Sequence, residues 1–213
     1  MEIKDLSGMR KDYVSEDFSE KSLLTDPYLQ FDKWFAEASL VEEFEANAMV
    51  LSTSGSDNRP SSRVVLLKKY SKDGFVFFTN YLSRKGREID ENPWCSLLFF
   101  WPHRVRQVRV EGVAEKIVYE DSLEYFKSRP VISQASSSLS HQSSILEDKE
   151  RFDKMIESLV SSGEDIKMPP HWGGYIVKPE RFEFWQGGTG RSHDRFRYDL
   201  EEDHSWRISR LYP

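Results

Sequence analysis

At 213 residues the chain has room for one domain, or one domain with helical additions, and its 38% hydrophobic and 14% aromatic residues supply a sizeable core. A formal net charge of −6 argues against a general nucleic-acid binder, and apolar runs such as the one from Trp94 to Trp101 are far too short to cross a bilayer. The first residues, MEIKDLSGMRKDY, lack the apolar stretch of a secretory signal, and the lone cysteine, Cys95, forms no intrachain disulfide, so a reducing cytoplasm is the expected compartment.

Asp26-Pro27 ahead of Leu29, Phe31, Trp34, Phe35 and Ala38 predicts an amphipathic helix, with Asp26 as N-cap and Pro27 at the first helical position. From Ala48 the pattern turns to β. AMVLSTSG, a polar SDNRP turn, SSRVVLLKKY, a KDG turn and FVFFTNY predict a three-strand meander. Ser83 opens a short charged helix that Pro93 closes, and WCSLLFFW and VRQVRVEGVAEKIV predict two further strands joined around Pro102-His103. Tyr119 to Arg129 predicts a helix carrying Leu123, Tyr125 and Phe126. The seven serines between Ser133 and Ser144 have the composition of a linker, but no Gly or Pro interrupts them, so they read as a segment that is ordered or folds around a ligand. Glu147 to Val160 predicts a helix and MPPHWGG a turn. The last strands are YIVKPE, RFEFWQ, and HDRFRYDL with its partner SWRISRLY. Without regular βαβ alternation, the fold class is mainly β with peripheral α-helices, an antiparallel barrel.

Charge is unevenly spread. Arg63 to Arg109 holds ten Lys/Arg against four Asp/Glu, a basic middle in an acidic chain that suits local capture of phosphate or carboxylate; a charged strand face is the alternative. Arg63 and Lys68 stand five apart, an odd spacing that sends them to opposite faces of an ideal strand. For both to touch one ligand, the strand must twist or bulge, or the ligand must lie across its end. Thr79 to Lys85 is a stronger signal, because Arg84 and Lys85 occupy the first turn of a helix capped by Ser83. Cations there oppose the helix dipole unless an anion binds.

Gln107, in a predicted strand, suits the polar edge of a heteroaromatic ring or a satisfied core amide. Tyr125 and Arg129 share a helix face with Ser133 just beyond, either a second phosphate site or a packing pair. The segment from Glu180 to Tyr198 sets aromatics, a Gly-rich turn, His193, Arg191, Arg195 and Arg197 in one hairpin, either a ligand wall or a solvated edge. His103, His141, His171, His193 and His204 show no metal-ligand spacing, so no metal is expected. Two phosphate sites, a ring-edge glutamine and an aromatic hairpin point to two phosphorylated aromatic ligands side by side.

In order along the chain, R-x-V-L-L-K, F-F-T-N-x-x-S-R-K, R-Q-V-R-V-E-G, Y-F-x-S-R-P, S-x-Q-S-S, W-G-G, E-F-W-Q-G and R-x-H-D-R closely resemble the pyridoxine/pyridoxamine 5′-phosphate oxidase family, from about Arg10 to Pro213. The resemblance implies an FMN-binding split β-barrel, a homodimer with FMN between subunits, and a single domain over 26–213 after an N-terminal segment, 1–25, able to act as a lid. It implies oxidation of pyridoxine or pyridoxamine 5′-phosphate to pyridoxal 5′-phosphate, with molecular oxygen giving hydrogen peroxide, plus ammonia from the amine.

Carried onto this chain, Arg63, Val64, Val65, Leu66, Leu67, Lys68, Phe78, Thr79, Arg84 and Lys85 would line the FMN ribityl-phosphate and one side of its ring. Gln107 would meet the flavin edge, Gln142 and Ser143 would reach in from the other subunit, and Trp185 and Arg195 would complete that site. Lys68, Tyr125, Arg129 and Ser133 would hold the substrate phosphate. The catalytic pair Arg191 and His193 would sit over the substrate ring with Ser192 between them, and Arg10 and Tyr13 would close over it. The chain departs from the family pattern at Ala135-Ser136-Ser137-Ser138, where Ile-Gly-Ala is usual, a change that questions the local loop geometry. It departs again at Ser192, where leucine is usual, and at Tyr212, where alanine is typical. A carrier or sensor that binds FMN or pyridoxal 5′-phosphate without turnover is the alternative, and Arg191 with His193 speaks for the enzyme.

Overall fold

A computed structural model describes residues 4–6, 8, 13, 18–42 and 45–213. Helix α1 (Pro27–Ser39) begins as its sequence dictates: the Asp26 carboxylate accepts the Tyr28 N–H at 2.9 Å and the Leu29 N–H at 3.4 Å, and Pro27 has no N–H to leave unpaired. Among the described residues there follow α2 (Arg84–Glu91), α3 (Tyr119–Ser128), α4 (Val131–Leu139) and α5 (Lys149–Ser161). The strands are β1 (Ala48–Ser54), β2 (Pro60–Leu66), β3 (Lys69–Ser71), β4 (Gly74–Asn80), β5 (Trp94–Trp101), β6 (Arg106–Lys116), β7 (Trp172–Gln186), β8 (Asp194–Leu200) and β9 (Trp206–Arg210). They are hydrogen-bonded in the order β2-β1-β5-β6-β7-β4-β3, with β8 on β7 and β9 on β8.

Three expectations change. The meander is two hairpins, because SSRVVLLKKY breaks at Leu67-Lys68: β2 pairs with β1, β3 pairs with β4, and they end up at opposite ends of the strand order. At the break the Leu67 N–H turns to Asn47 O at 2.9 Å and the Lys68 N–H to Val76 O at 2.8 Å, so the change of partner leaves neither amide unpaired. The MPPHWGG turn is shorter than expected, since Trp172-Gly173-Gly174 already belongs to β7, which runs 15 residues through Pro179 without a second start. Pro179 is tolerated because it lies between Trp172–Val177, laddered to β4, and Arg181–Gln186, laddered to β8. The serine-rich stretch is ordered, its first half being α4, so the Ser136–Ser138 departure falls inside a helix and not in a loop.

The chain divides into two compact units. One comprises Met1–Ala46, Leu98–Val110 and Arg181–Pro213. Its core is aromatic: Trp34 meets Phe184 edge-on at 5.4 Å, Phe31 meets Phe99 at 5.1 Å and Phe18 meets Phe196 at 5.0 Å. Each such ring contributes about 1.5–3 kcal/mol by burial. The other unit comprises Asn47–Leu97 and Glu111–Glu180, and there Phe126, Ala135, Ile156, Ile166, Met168 and Trp172 seat α3, α4 and α5 on one cluster.

Candidate functional site

In the second unit, Ser83 starts α2 by accepting the Gly86 N–H at 3.4 Å while its hydroxyl donates to Asn80 O at 2.6 Å. Gly86 is required at this turn, since a Cβ would stand 2.0 Å from Tyr81 O. The cap places Arg84 and Lys85 in the first helical turn, with no acidic residue beside them there. Lys85 Nζ is buried among neutral oxygens: Thr79 Oγ1 at 3.1 Å, Gln142 Oε1 at 3.0 Å and Ser83 Oγ at 3.4 Å. Desolvation, with the Arg63 charge adding to it, pulls its pKa down to about 8.

Arg63 and Arg84 are held by Glu88, which accepts Arg84 Nε at 2.8 Å, Arg63 at 3.3 Å, Ser61 Oγ at 2.6 Å and Thr53 Oγ1 at 2.5 Å. Burial alone would raise the Glu88 pKa, but the hydrogen bonds from Ser61, Thr53 and Arg84 bring it to about 2, and it stays ionised. Sequence reading passed over Glu88, although its i,i+4 spacing from Arg84 marks the pair.

A second group stands on α3, α4 and β7. Tyr125 stacks on Phe78 at 3.9 Å and Phe78 on Trp172 at 5.5 Å, a layered aromatic wall. The Arg129 guanidinium lies over Trp172 at 4.8 Å and donates to Ser137 Oγ at 2.9 Å. Desolvation lowers its pKa, and among the described residues no carboxylate pairs with it.

Both groups line one cavity of about 850 Å³, together with Arg63, Val64, Val65, Leu66, Lys68 and Ser133. The break after Leu66 resolves the odd spacing of Arg63 and Lys68, because the two belong to different hydrogen-bonded ladders yet share this wall. Leu67 does not line the cavity; its side chain is 4% exposed and part of the core. Gln142 and Ser143, expected from another subunit, stand at their own chain's cavity, Ser143 Oγ accepting the Arg84 N–H at 3.1 Å. Five cations line the space, Arg63, Lys68, Arg84, Lys85 and Arg129, with no carboxylate among the lining residues. Trp172, Ser136, Ser137 and Ser140 were not foreseen there; the spacing of Ser133, Ser136, Ser137 and Ser140 is that of one helix face.

The remaining residues that the structure describes belong to the first unit. Trp185, Tyr13 and His193 form an aromatic group, with His193 4.9 Å from Trp185 and 6.0 Å from Tyr13. The turn between β7 and β8 gives Gly190 a φ of 63° and brings Gly188 so close to Ser192 that a Cβ would lie 2.0 Å from its carbonyl oxygen. The Gly188 N–H donates to His193 Nδ1 at 3.1 Å, which places the proton of the neutral ring on Nε2. Arg191 and Ser192 are exposed, Arg191 with a left-handed φ of 63° and no partner among the described residues. Gln107, half-buried on β6, also has none among them. Arg195 is already paired, its NH2 and Nε both donating to Oε1 of the buried Glu183 at 2.8 and 3.0 Å, while Glu183 Oε2 takes Arg109 at 2.6 Å. Arg10 lies outside the described residues. Among the described residues no cluster of His, Cys, Asp and Glu is placed to hold a metal ion.

Residues 37–162 match the family described as pyridoxamine 5′-phosphate oxidase, and residues 172–213 match the pyridoxine 5′-phosphate oxidase C-terminal dimerisation region. The chain is 46% identical to a pyridoxine/pyridoxamine 5′-phosphate oxidase of Herminiimonas arsenicoxydans, over 98% of this chain and 99% of that protein. It is 44% identical to the Nostoc sp. protein of the same name, over 99% of each. Among solved structures, PhzG from Burkholderia lata 383, in complex with tetrahydrophenazine-1-carboxylic acid, superposes with a TM-score of 0.88 at 31% identity, covering 93% of this chain and 99% of that one. An FMN-binding, pyridoxamine 5′-phosphate oxidase-related protein of Nostoc punctiforme aligns at 17% identity and a TM-score of 0.73, over 90% of this chain and 100% of that one, and shares the antiparallel split-barrel fold. By sequence over nearly its whole length and by fold, this chain belongs to the pyridoxine/pyridoxamine 5′-phosphate oxidase family.

Proposed function

We propose that the chain is a pyridoxal 5′-phosphate synthase that oxidises pyridoxine 5′-phosphate or pyridoxamine 5′-phosphate with FMN, and that molecular oxygen is the final acceptor. One observation carries the reading beyond family membership: a single cavity holds five cations in two groups and no carboxylate, a lining matched to two phosphorylated ligands. The residues fit FMN on physical grounds. A phosphate beside Lys85 and the start of α2 supplies the negative charge that this buried ammonium and the helix dipole lack.

FMN, when bound, supplies the hydride acceptor for substrate C4′ and passes the electrons to oxygen, giving hydrogen peroxide. Arg63, Arg84 and Lys85 hold its phosphate, with Thr79, Gln142 and Ser143 beside it, and Val64, Val65 and Leu66 line one side. Leu67 contributes through backbone position only. Lys68, Tyr125, Arg129 and Ser133 bind the substrate phosphate. That anchor fixes the distance of C4′ from the hydride acceptor, so orientation supplies much of the rate.

Gln107, Trp185, Arg191, Ser192, His193 and Arg195 act from the other copy in a homodimer, with FMN where the two copies meet. One observation supports this: residues 172–213 match a dimerisation region. Arg191, exposed and without a partner among the described residues, is suited to stabilise negative charge developing near C4′. His193 offers Nε2–H as a donor. Arg10 and Tyr13 close the site from the N-terminal segment. The compartment is the cytoplasm, in keeping with a Cys95 thiol that burial raises to about 12 and so keeps unreactive. No helix among the described residues is long and apolar enough to cross a membrane.

The test is a substrate series in air, following aldehyde and peroxide. Pyridoxine 5′-phosphate is expected to turn over and pyridoxine without its phosphate to fall by at least ~100-fold in kcat/KM, because two charge-assisted contacts are lost. Equal rates on the two, or a preference for a tricyclic carboxylic acid of the kind bound by PhzG, would contradict the substrate assigned here.

A further inference from the structure

Arg129 is half-buried, and among the described residues no carboxylate forms an ion pair with it, although Asp153 and Glu157 line a second cavity beside it. Two things fix the plane of its guanidinium. Trp172 lies beneath it at 4.8 Å, and Ser137 Oγ accepts one N–H of NH1 at 2.9 Å. Ser137 is also a wall residue of the cavity, on the same helical face as Ser133, Ser136 and Ser140. A hydroxyl in this place has a property that a carboxylate would not: it orients the fork without neutralising it. The loop before α4 is tied to the same arginine, since Gln134 Nε2 donates to Arg129 O at 2.8 Å, and Ser138 Oγ fastens the helix by donating to Gln134 O at 3.0 Å.

We infer that Ser137 is a positioning residue for the substrate phosphate: it holds one arm of Arg129 against Trp172, so that the remaining N–H groups meet the phosphate with full charge. The inference rests on the function proposed above and adds to it a residue at the very place where this chain leaves the family pattern. Three consequences separate it from a merely structural serine. The effect belongs to KM and not to kcat, it extends to inorganic phosphate as a competitive inhibitor, and it is absent for a substrate that has no phosphate.

The experiment compares the wild-type holoenzyme with Ser137→Ala and Ser137→Thr on pyridoxine 5′-phosphate, on unphosphorylated pyridoxine, and with inorganic phosphate as inhibitor. Alanine is a good helix former, so folding is expected to be preserved. Loss of one hydrogen bond to a charged group should raise KM for the phosphorylated substrate by about five- to tenfold, with kcat within about twofold and bound FMN unchanged. The inhibition constant for phosphate should rise in parallel, the residual rate on pyridoxine should stay the same, and threonine should restore KM. An unchanged KM, an equal loss on both substrates, or a threonine variant as poor as alanine would overturn the assignment of Ser137. A wild-type enzyme that fails to oxidise pyridoxine 5′-phosphate would overturn the function on which the inference stands, a result readily told apart from these.

Discussion

Lys85 shows how a single side chain can mark a place suited to an anion. Its ammonium is surrounded by three neutral oxygens and one nearby cation, and burial together with Arg63 brings its pKa to about 8. An anion bound there favours the charged form and raises that value. In the window above pH 8 the FMN-bound protein therefore holds a proton that the free protein has released, and by linkage the affinity for FMN must fall as pH rises through that window. Measured by flavin fluorescence quenching, the dissociation constant should increase between pH 8 and 10. Lys85→Met should flatten the upper limb. Glu88 does not interfere, because it is ionised throughout this range.

Helix α2 is the element that turns these residues into a site. Ser83 is fully buried, and its hydroxyl joins the Gly86 N–H to Asn80 O. Ser83→Ala should cost about 1–2 kcal/mol of stability, read as a lower denaturant midpoint, and should loosen FMN because the cap aims Arg84 and Lys85. This cap, the α1 start at Asp26-Pro27 and the α3 positions of Tyr125 and Arg129 were legible, since capping chemistry and 3.6-residue spacing are local. The break at Leu67-Lys68 was not: nothing within SSRVVLLKKY marks it, and only the competing ladders with Asn47 and Val76 explain it. The α4 serine face was hidden for a different reason. Serine is an indifferent helix former, so a run read as ordered does not show itself as a helix until Ala135 and Leu139 find the core under it. The partner of Arg195 was not legible, because the buried carboxylate that holds its guanidinium, Glu183, lies on the neighbouring strand and 12 residues away.

At the scale of the whole molecule, the chain contains two sets of chemistry-bearing residues. One is a cationic cavity built from 47–97 and 111–180, and the other is the hairpin of β7 and β8 with its aromatic group. The proposed dimer gives each set its counterpart. In that proposal the cavity would supply phosphate binding, and the hairpin would supply Arg191 and His193. A carrier would have use for the first set and none for the second. The two readings separate most directly in one measurement: the purified, FMN-loaded protein is mixed with pyridoxine 5′-phosphate in the absence of oxygen and its flavin absorbance is followed. An oxidase should lose its yellow colour in a single turnover and regain it on admission of air, with one pyridoxal 5′-phosphate released per flavin. A flavin that stays oxidised under these conditions, with substrate bound, would contradict the account.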